Sequence, residues 1–233
     1  DASELSILAL QPELAEVDLR RALYLDTETT GLSGGGGTLA FLTGAAWFEG
    51  DTSGSFQDAQ LRVEQWLLPR PGQEVPMLHR LADRLREASC VVSYNGKSFD
   101  WPLLRTRFIL NRVPAPPLPP HLDLLHCARR VFKRRMGSVR LVEMEAQVLG
   151  FERVGDIPGA LIPQTYFDVL RGRQPASVLG PVVEHNALDL IALAALMGEM
   201  SRRFRAQGEG WDARDRLGLA EVSARAGEER RAA

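Results

Sequence analysis

The chain has 233 residues, of which 45% are apolar and 25% charged, and a net charge of −2. This is ordinary globular composition, large enough for one α/β core. Near-neutral charge excludes attraction of nucleic acid by the molecule as a whole and leaves only local patches. Cys90 and Cys127, the two cysteines, form no CxxC pair, so neither a zinc site nor a disulfide framework is indicated. No apolar run reaches bilayer-spanning length, and the opening DASELSILALQPEL lacks the basic start of a signal peptide, so a cytoplasmic setting without membrane contact is expected.

In chain order, residues 1–20 read as a short helix or extended lead-in. A first strand is expected at 21–28, and SGGGG at 33–37 reads as a flexible connection. Strands follow at 38–49 and 56–68, separated by the turn EGDTSGS, and the close spacing predicts antiparallel hairpins. Pro69, Pro71 and Gly72 interrupt the chain. Met77, Leu78, Leu81, Leu85 and Ala88 then recur at helical spacing over 74–88. A fourth strand at 90–94 precedes a helix over 99–112. VPAPPLPP at 113–120 reads as a stiff polyproline-like loop. Further helices are expected at 122–134, with Asp123 as its cap, and at 138–149, 164–171 and 178–206. Strands first, then alternation of strand and helix, predict an α/β sheet with some antiparallel members. The domain is expected to occupy 1–206, with 207–233 as a helical extension. The chain starts at Asp1 rather than Met and ends inside a helical pattern, as expected of a domain excised from a longer protein or of a chain trimmed at its ends.

Three acidic sites stand out. In LDTETTG, Asp26 and Glu28 are two apart on a strand and share one face. Paired carboxylates repel unless a cation lies between them, and hard divalent ions accept carboxylate oxygen. In VVSYNGKSFDW, an apolar run and an Asn-Gly turn lead to Asp100 at a helix start. In VEHNALDL, His185 and Asp189 are four apart and share a helix face. Alone, each is compatible with a solvated turn or a surface helix.

Together, Asp-x-Glu, Asn-x4-Asp and His-x3-Asp resemble the DEDD 3′→5′ exonuclease superfamily. LDTETTGLSGGGGTLAFLTG and VVSYNGKSFDWPLLRTRF look like the YprB-like ribonuclease H-like family. The resemblance runs from about Leu23 to Met197. It implies an α/β ribonuclease H-like fold, with a five-stranded mixed sheet flanked by helices and the second strand antiparallel. One departure is visible. DnaQ-like members place histidine five residues before the last aspartate, and tyrosine-type members place tyrosine four before it. Here a histidine occupies the tyrosine-type position.

The resemblance implies a divalent-metal-dependent nuclease that shortens single-stranded DNA or RNA from the 3′ end with two Mg²⁺ or Mn²⁺ ions. Asp26 would bridge the ions, Glu28 and Asp189 would complete one, Asp100 would hold the other, and His185 would be the general base. Thr29, Gly31 and Leu32 would touch the terminal nucleotide. Asn95 is expected to orient its turn, with substrate contact as the alternative, and Lys97 to meet a phosphate or solvent. Phe99 and Trp101 each read as core-packing residues, with stacking of one of them on a base as the alternative. Asn186 reads as a structural hydrogen-bonding residue. RRVFKRR at 129–135 places Arg129 with Lys133, and Arg130 with Arg134, on adjacent rows of one helix, either as a phosphate track or as a solvated face. A nucleic-acid-binding or scaffolding module and a structure-selective endonuclease are the competing readings. The family often carries helical repeats after this domain, and 214–233 could begin one. Protein partners are left open by the sequence, the proline segment reading as a rigid connector with recruitment of an SH3-like partner as the alternative.

Overall fold

The computed structural model describes residues 1–31, 37–50, 59–207 and 209–228. Its elements are α1 (Ala2–Ala9), β1 (Ala22–Thr29), β2 (Ala40–Glu49), β3 (Gln60–Leu67), α2 (Val75–Glu87), β4 (Cys90–Ser93), α3 (Asp100–Leu110), β5 (His121–Asp123), α4 (Leu124–Val131), α5 (Lys133–Met136), α6 (Leu141–Met144), α7 (Ile162–Leu170), α8 (Gly180–Arg205) and α9 (Ala213–Arg225). One sheet runs in the order β3-β2-β1-β4-β5. β2 is antiparallel to both β1 and β3, whereas β1, β4 and β5 are parallel. This is the mixed five-stranded sheet, with its second strand reversed, that the family resemblance implied.

β1 sorts its side chains by parity. Ala22 and Tyr24 join the core formed with α1, α4 and α8, while Leu23 and Leu25 join the core formed with α2 and α3. Continuing the alternation puts Asp26 and Glu28 on the α8 face and Thr27 on the α3 face. The apolar half of β1 thereby anchors the acidic half. Truncating fully buried Leu25 to Ala would cost about 2–5 kcal/mol. A third cluster packs α7 under β2, where Phe41 and Tyr166 stack with centroids 4.1 Å apart and the Tyr166 hydroxyl donates to the Leu68 carbonyl.

Ala176–Arg205 is long and apolar enough to cross a membrane by length and composition, contrary to the expectation that no such run exists. The α8 residues Leu190, Leu193, Leu196 and Met200 are buried in the core instead. The helix expected over 122–134 is divided. His121–Asp123 forms β5, which the sequence reading missed, and α4 ends at Val131 with α5 starting at Lys133. The helix expected at 138–149 is a four-residue turn, α6, followed by a π-helical turn at Glu145–Leu149. α9 packs its Leu219 and Val222 into the same core as α1 and α4.

Candidate active site

The C-terminal ends of β1, β4 and β5 point to one crevice, the place where open α/β sheets put their ligands. Three elements deliver the acids: β1 carries Asp26 and Glu28, the first turn of α3 carries Asp100, and α8 carries His185 and Asp189. The donor atoms of Glu28, His185 and Asp189 lie within 4.8 Å of one another. His185 Nε2 is 3.8 Å from Asp189 Oδ2 and 4.0 Å from Glu28 Oε1.

Asp26 is held by Asn186, whose Nδ2 donates to its Oδ2 at 2.7 Å. Asn186 is fully buried, and its own Oδ1 accepts from Gln65 Nε2 at 2.8 Å. The absence of a side chain at Gly44 makes room for this, since a Cβ there would lie 2.2 Å from Asn186 Oδ1. On the other face of β1, the Thr27 hydroxyl donates to Asp100 Oδ1. Parity along one strand thus fixes both halves of the acidic cluster.

The four carboxylates act on one another. Burial raises Asp26 well above the usual carboxylate range, and the charges of Asp189, Asp100 and Glu28 raise it further. Burial also raises Glu28 to about 7, with Asp189 and Asp100 adding to the shift and His185 opposing it. Asp100 is raised to about 6 by burial, against the hydrogen bond from Thr27. Asp189 is raised by burial against the pull of Arg153 and His185. A cluster of hard oxygen donors whose members resist simultaneous ionisation suits divalent cations.

A cavity of about 240 Å³ opens beside the acids, lined by Asp26, Thr29, Gly31, Asn95, Phe99 and Asp100 among others. Leu32, expected at the terminal nucleotide, and Gly34–Gly36 lie outside the described residues. Asn95 has φ +69°, a conformation asparagine tolerates better than most residues. Buried Asp123 holds that turn, accepting from the backbone N–H of Asn95 at 2.8 Å and of Lys97 at 3.1 Å. It also caps α4 by accepting from Leu125 N–H. Lys97 does not line the cavity, and its ammonium donates to Gln11 at 2.8 Å. Phe99 is 52% exposed at the cavity wall, so it is not a core residue, whereas Trp101 packs against the α2/α3 core.

The basic run is split by its contacts as well as by helix. Arg129 and Lys133 line a groove of about 500 Å³ that shares Tyr94 and Asn95 with the acidic cavity. Arg130 instead donates to the Leu8 carbonyl, and Arg134 pairs with Glu221. The two predicted rows are therefore one groove wall and one set of structural contacts.

Sequence reasoning missed Arg153 and Asp156. Arg153 donates to Asp189 Oδ1 and grips Glu145 with two bonds, while Asp156 bonds His185 Nδ1 at 2.8 Å. They stand in an irregular segment with no hydrophobic period. The only signal was the charge alternation of Glu152, Arg153 and Asp156 beside Gly155.

Comparison with known proteins agrees with this architecture. A family model described as RNase_H superfamily matches residues 23–201. The chain is 40% identical over 182 residues to the uncharacterized protein YprB of Bacillus subtilis (strain 168), a match covering 77% of the chain but only 42% of that relative. Its fold is similar to the family B DNA polymerase from the hyperthermophilic archaeon Pyrobaculum calidifontis, with a TM-score of 0.60 at 14% identity, covering 91% of this chain and 29% of the polymerase. With the α/β architecture and the family match over most of its length, this chain is a member of the RNase_H superfamily with a ribonuclease H-like fold.

Proposed function

We propose that this domain is a divalent-metal-dependent 3′→5′ exonuclease of DEDD type that hydrolyses phosphodiester bonds at single-stranded DNA or RNA ends. The observation carrying this reading is the convergence of Asp26, Glu28, Asp100 and Asp189 with His185 at the end of β1. Two ions, Mg²⁺ or Mn²⁺, held by those four carboxylates would polarise the scissile phosphate and acidify the attacking water.

The chain's own residues do the rest. His185 presents Nε2 toward Glu28 and Asp189, where it can take a proton from the water. Asn186 keeps Asp26 facing the cavity, and Thr27 does the same for Asp100. Thr29, Gly31 and Phe99 line a space on the scale of one nucleoside, which suits a strand terminus. Asn95 joins that space to the Arg129/Lys133 groove, where the strand's phosphates would lie. The superfamily membership and the fold shared with a DNA polymerase support a nucleic-acid substrate.

The test is a time course on 5′-labelled single-stranded DNA and RNA with Mg²⁺, Mn²⁺ or EDTA, run beside Asp26→Asn. The expected result is a metal-dependent ladder shortening from the 3′ end and abolished by the substitution. Internal cuts would replace the reading by an endonuclease. Binding without cleavage would replace it by a nucleic-acid-binding or scaffolding module.

A further inference from the structure

We propose that Asp156 and Arg153 are positioning residues for the reacting histidine: Asp156 fixes the proton of His185 on Nδ1, leaving the Nε2 lone pair directed at the carboxylate cluster. This rests on the nuclease reading above and assigns the part of its machinery that no sequence motif marks.

His185 can face the acids with either nitrogen bare, and only one choice makes it a base. Its Nδ1 lies 2.8 Å from Asp156 Oδ1 and 2.9 Å from Oδ2. A carboxylate accepts and does not donate, so a neutral ring in this contact carries its proton on Nδ1. Nε2 is then unprotonated, and it is the atom 3.8 Å from Asp189 and 4.0 Å from Glu28. Asp156 is itself maintained as an acceptor. Burial acts to raise its carboxyl, but the hydrogen bonds from His185 and Arg153 outweigh that and hold it below the usual range.

Arg153 fixes the frame. Its side chain is 4% exposed, and its Nε and Nη2 bond Glu145 at 2.8 and 2.5 Å. Nη1 donates to Asp156 Oδ2 at 3.1 Å, and Nη2 also reaches Asp189 Oδ1. Nη1 is also 3.4 Å from His185 Nδ1. Two donors cannot share that line, so Arg153 serves Asp156 while the imidazole N–H takes the same carboxylate. One guanidinium thus ties Glu145 in the π-helical turn, Asp156 in the following segment and Asp189 on α8. Gly155, at φ +73°, turns the chain between Arg153 and Asp156, so that both side chains enter the site while Val154 between them is 98% exposed.

The experiment combines nitrogen NMR of His185 with single-turnover cleavage, on unaltered protein, Asp156→Asn and Asp156→Glu, with Mg²⁺ at a pH where the ring is neutral. The unaltered ring should read as the Nδ1–H form. Asparagine can offer an N–H to Nδ1, so Asp156→Asn should move the proton to Nε2. It should slow single-turnover cleavage by about 10²–10⁴-fold, the scale seen when an orienting carboxylate loses its charge, with little change in substrate affinity. Asp156→Glu should restore the Nδ1–H form and part of the rate. Arg153→Lys keeps the charge but loses the two-pronged grip, and should give a mixed tautomer. An unchanged tautomer in Asp156→Asn overturns the positioning role, whether or not the protein cleaves. A shifted tautomer with an unchanged rate overturns its catalytic relevance. Absence of cleavage by unaltered protein, with the tautomer response intact, overturns the nuclease reading and the catalytic half of this proposal while the positioning stands.

Discussion

Asn186 Nδ2 donates to Asp26 Oδ2 at 2.7 Å, and Gly44 is the residue across the strand pair that leaves room for it. Asn186 is fully buried and already committed through Oδ1 to Gln65, so it cannot step aside for a larger neighbour. A methyl at Gly44 would sit 2.2 Å from that Oδ1 and 2.7 Å from Leu190 Cδ1. Gly44→Ala should therefore displace Asn186 and misdirect Asp26 without altering any carboxylate. The expected effects are a loss of about 1–3 kcal/mol of stability from overpacking and a loss of roughly 10–100-fold in metal affinity or cleavage, as for other outer-sphere partners. Calorimetric Mn²⁺ titration and denaturant unfolding would check both. Native metal affinity in this variant would sever Gly44 from the site.

The sequence carried those parts of the site that follow a period. Asp26 and Glu28 were legible because strand alternation places i and i+2 together, and His185 with Asp189 because a helix places i and i+4 together. Gly44 and Gln65 were not legible as supports, because their role depends on β2 and β3 passing beneath α8. β5 was hidden because its three residues run directly into α4, whose helical pattern absorbed them. The Arg129–Arg135 run kept its charge but not its periodicity, since the chain breaks at Phe132, whose buried ring packs against Trp211. Arg153 and Asp156 sit between elements, where no spacing rule operates.

The raised carboxyls set a pH dependence with a definite sign. Glu28 titrates at about 7 in the folded chain against 4.5 as a free group, and Asp100 at about 6 against 3.8. Between those values the folded state holds more protons than the unfolded one, so these groups lower stability as pH rises from about 4 to about 7. For Glu28 alone the effect is at most about 3 kcal/mol, or roughly 6–12 °C in a domain this size. In EDTA, Glu28→Gln should be more stable than the unaltered chain at pH 8 and lose that advantage at pH 4. A cation bound only by the native state should raise the unaltered chain's Tm most at the higher pH. Parallel Tm profiles for the two proteins across that range would refute the coupling.

Phe99 and Trp101 flank Asp100 but have opposite surroundings. Phe99 is 52% exposed and lines the cavity, while Trp101 packs on the α2/α3 core. An exposed ring beside the acidic cluster would offer a stacking face to a base, worth about 1–3 kcal/mol per base. Phe99→Ala should weaken single-stranded DNA binding by roughly 5–150-fold with little change in Tm. Trp101→Ala should instead lower Tm and leave the affinity of the folded fraction nearly intact. Fluorescence anisotropy with an Asp26→Asn background would prevent cleavage during the measurement, and reversed effects of the two substitutions would exchange their roles.

Arg129 and Lys133 make the last distinction, because their helical neighbours have other partners. Arg130 donates to the Leu8 carbonyl and Arg134 pairs with Glu221, whereas Arg129 and Lys133 face the groove that meets the acidic cavity at Tyr94 and Asn95. A strand laid in this groove would release counterions from each phosphate it places against a cation. The log–log salt slope of single-strand binding should then shrink by about 0.7 for each of Arg129→Gln and Lys133→Gln. Arg134→Gln, which leaves a surface pair and not the groove, should leave that slope unchanged. Losses in affinity should be similar across sequences, since phosphate contacts position a strand without reading its bases. A slope altered equally by all three substitutions would mean that net charge, and not this groove, governs binding.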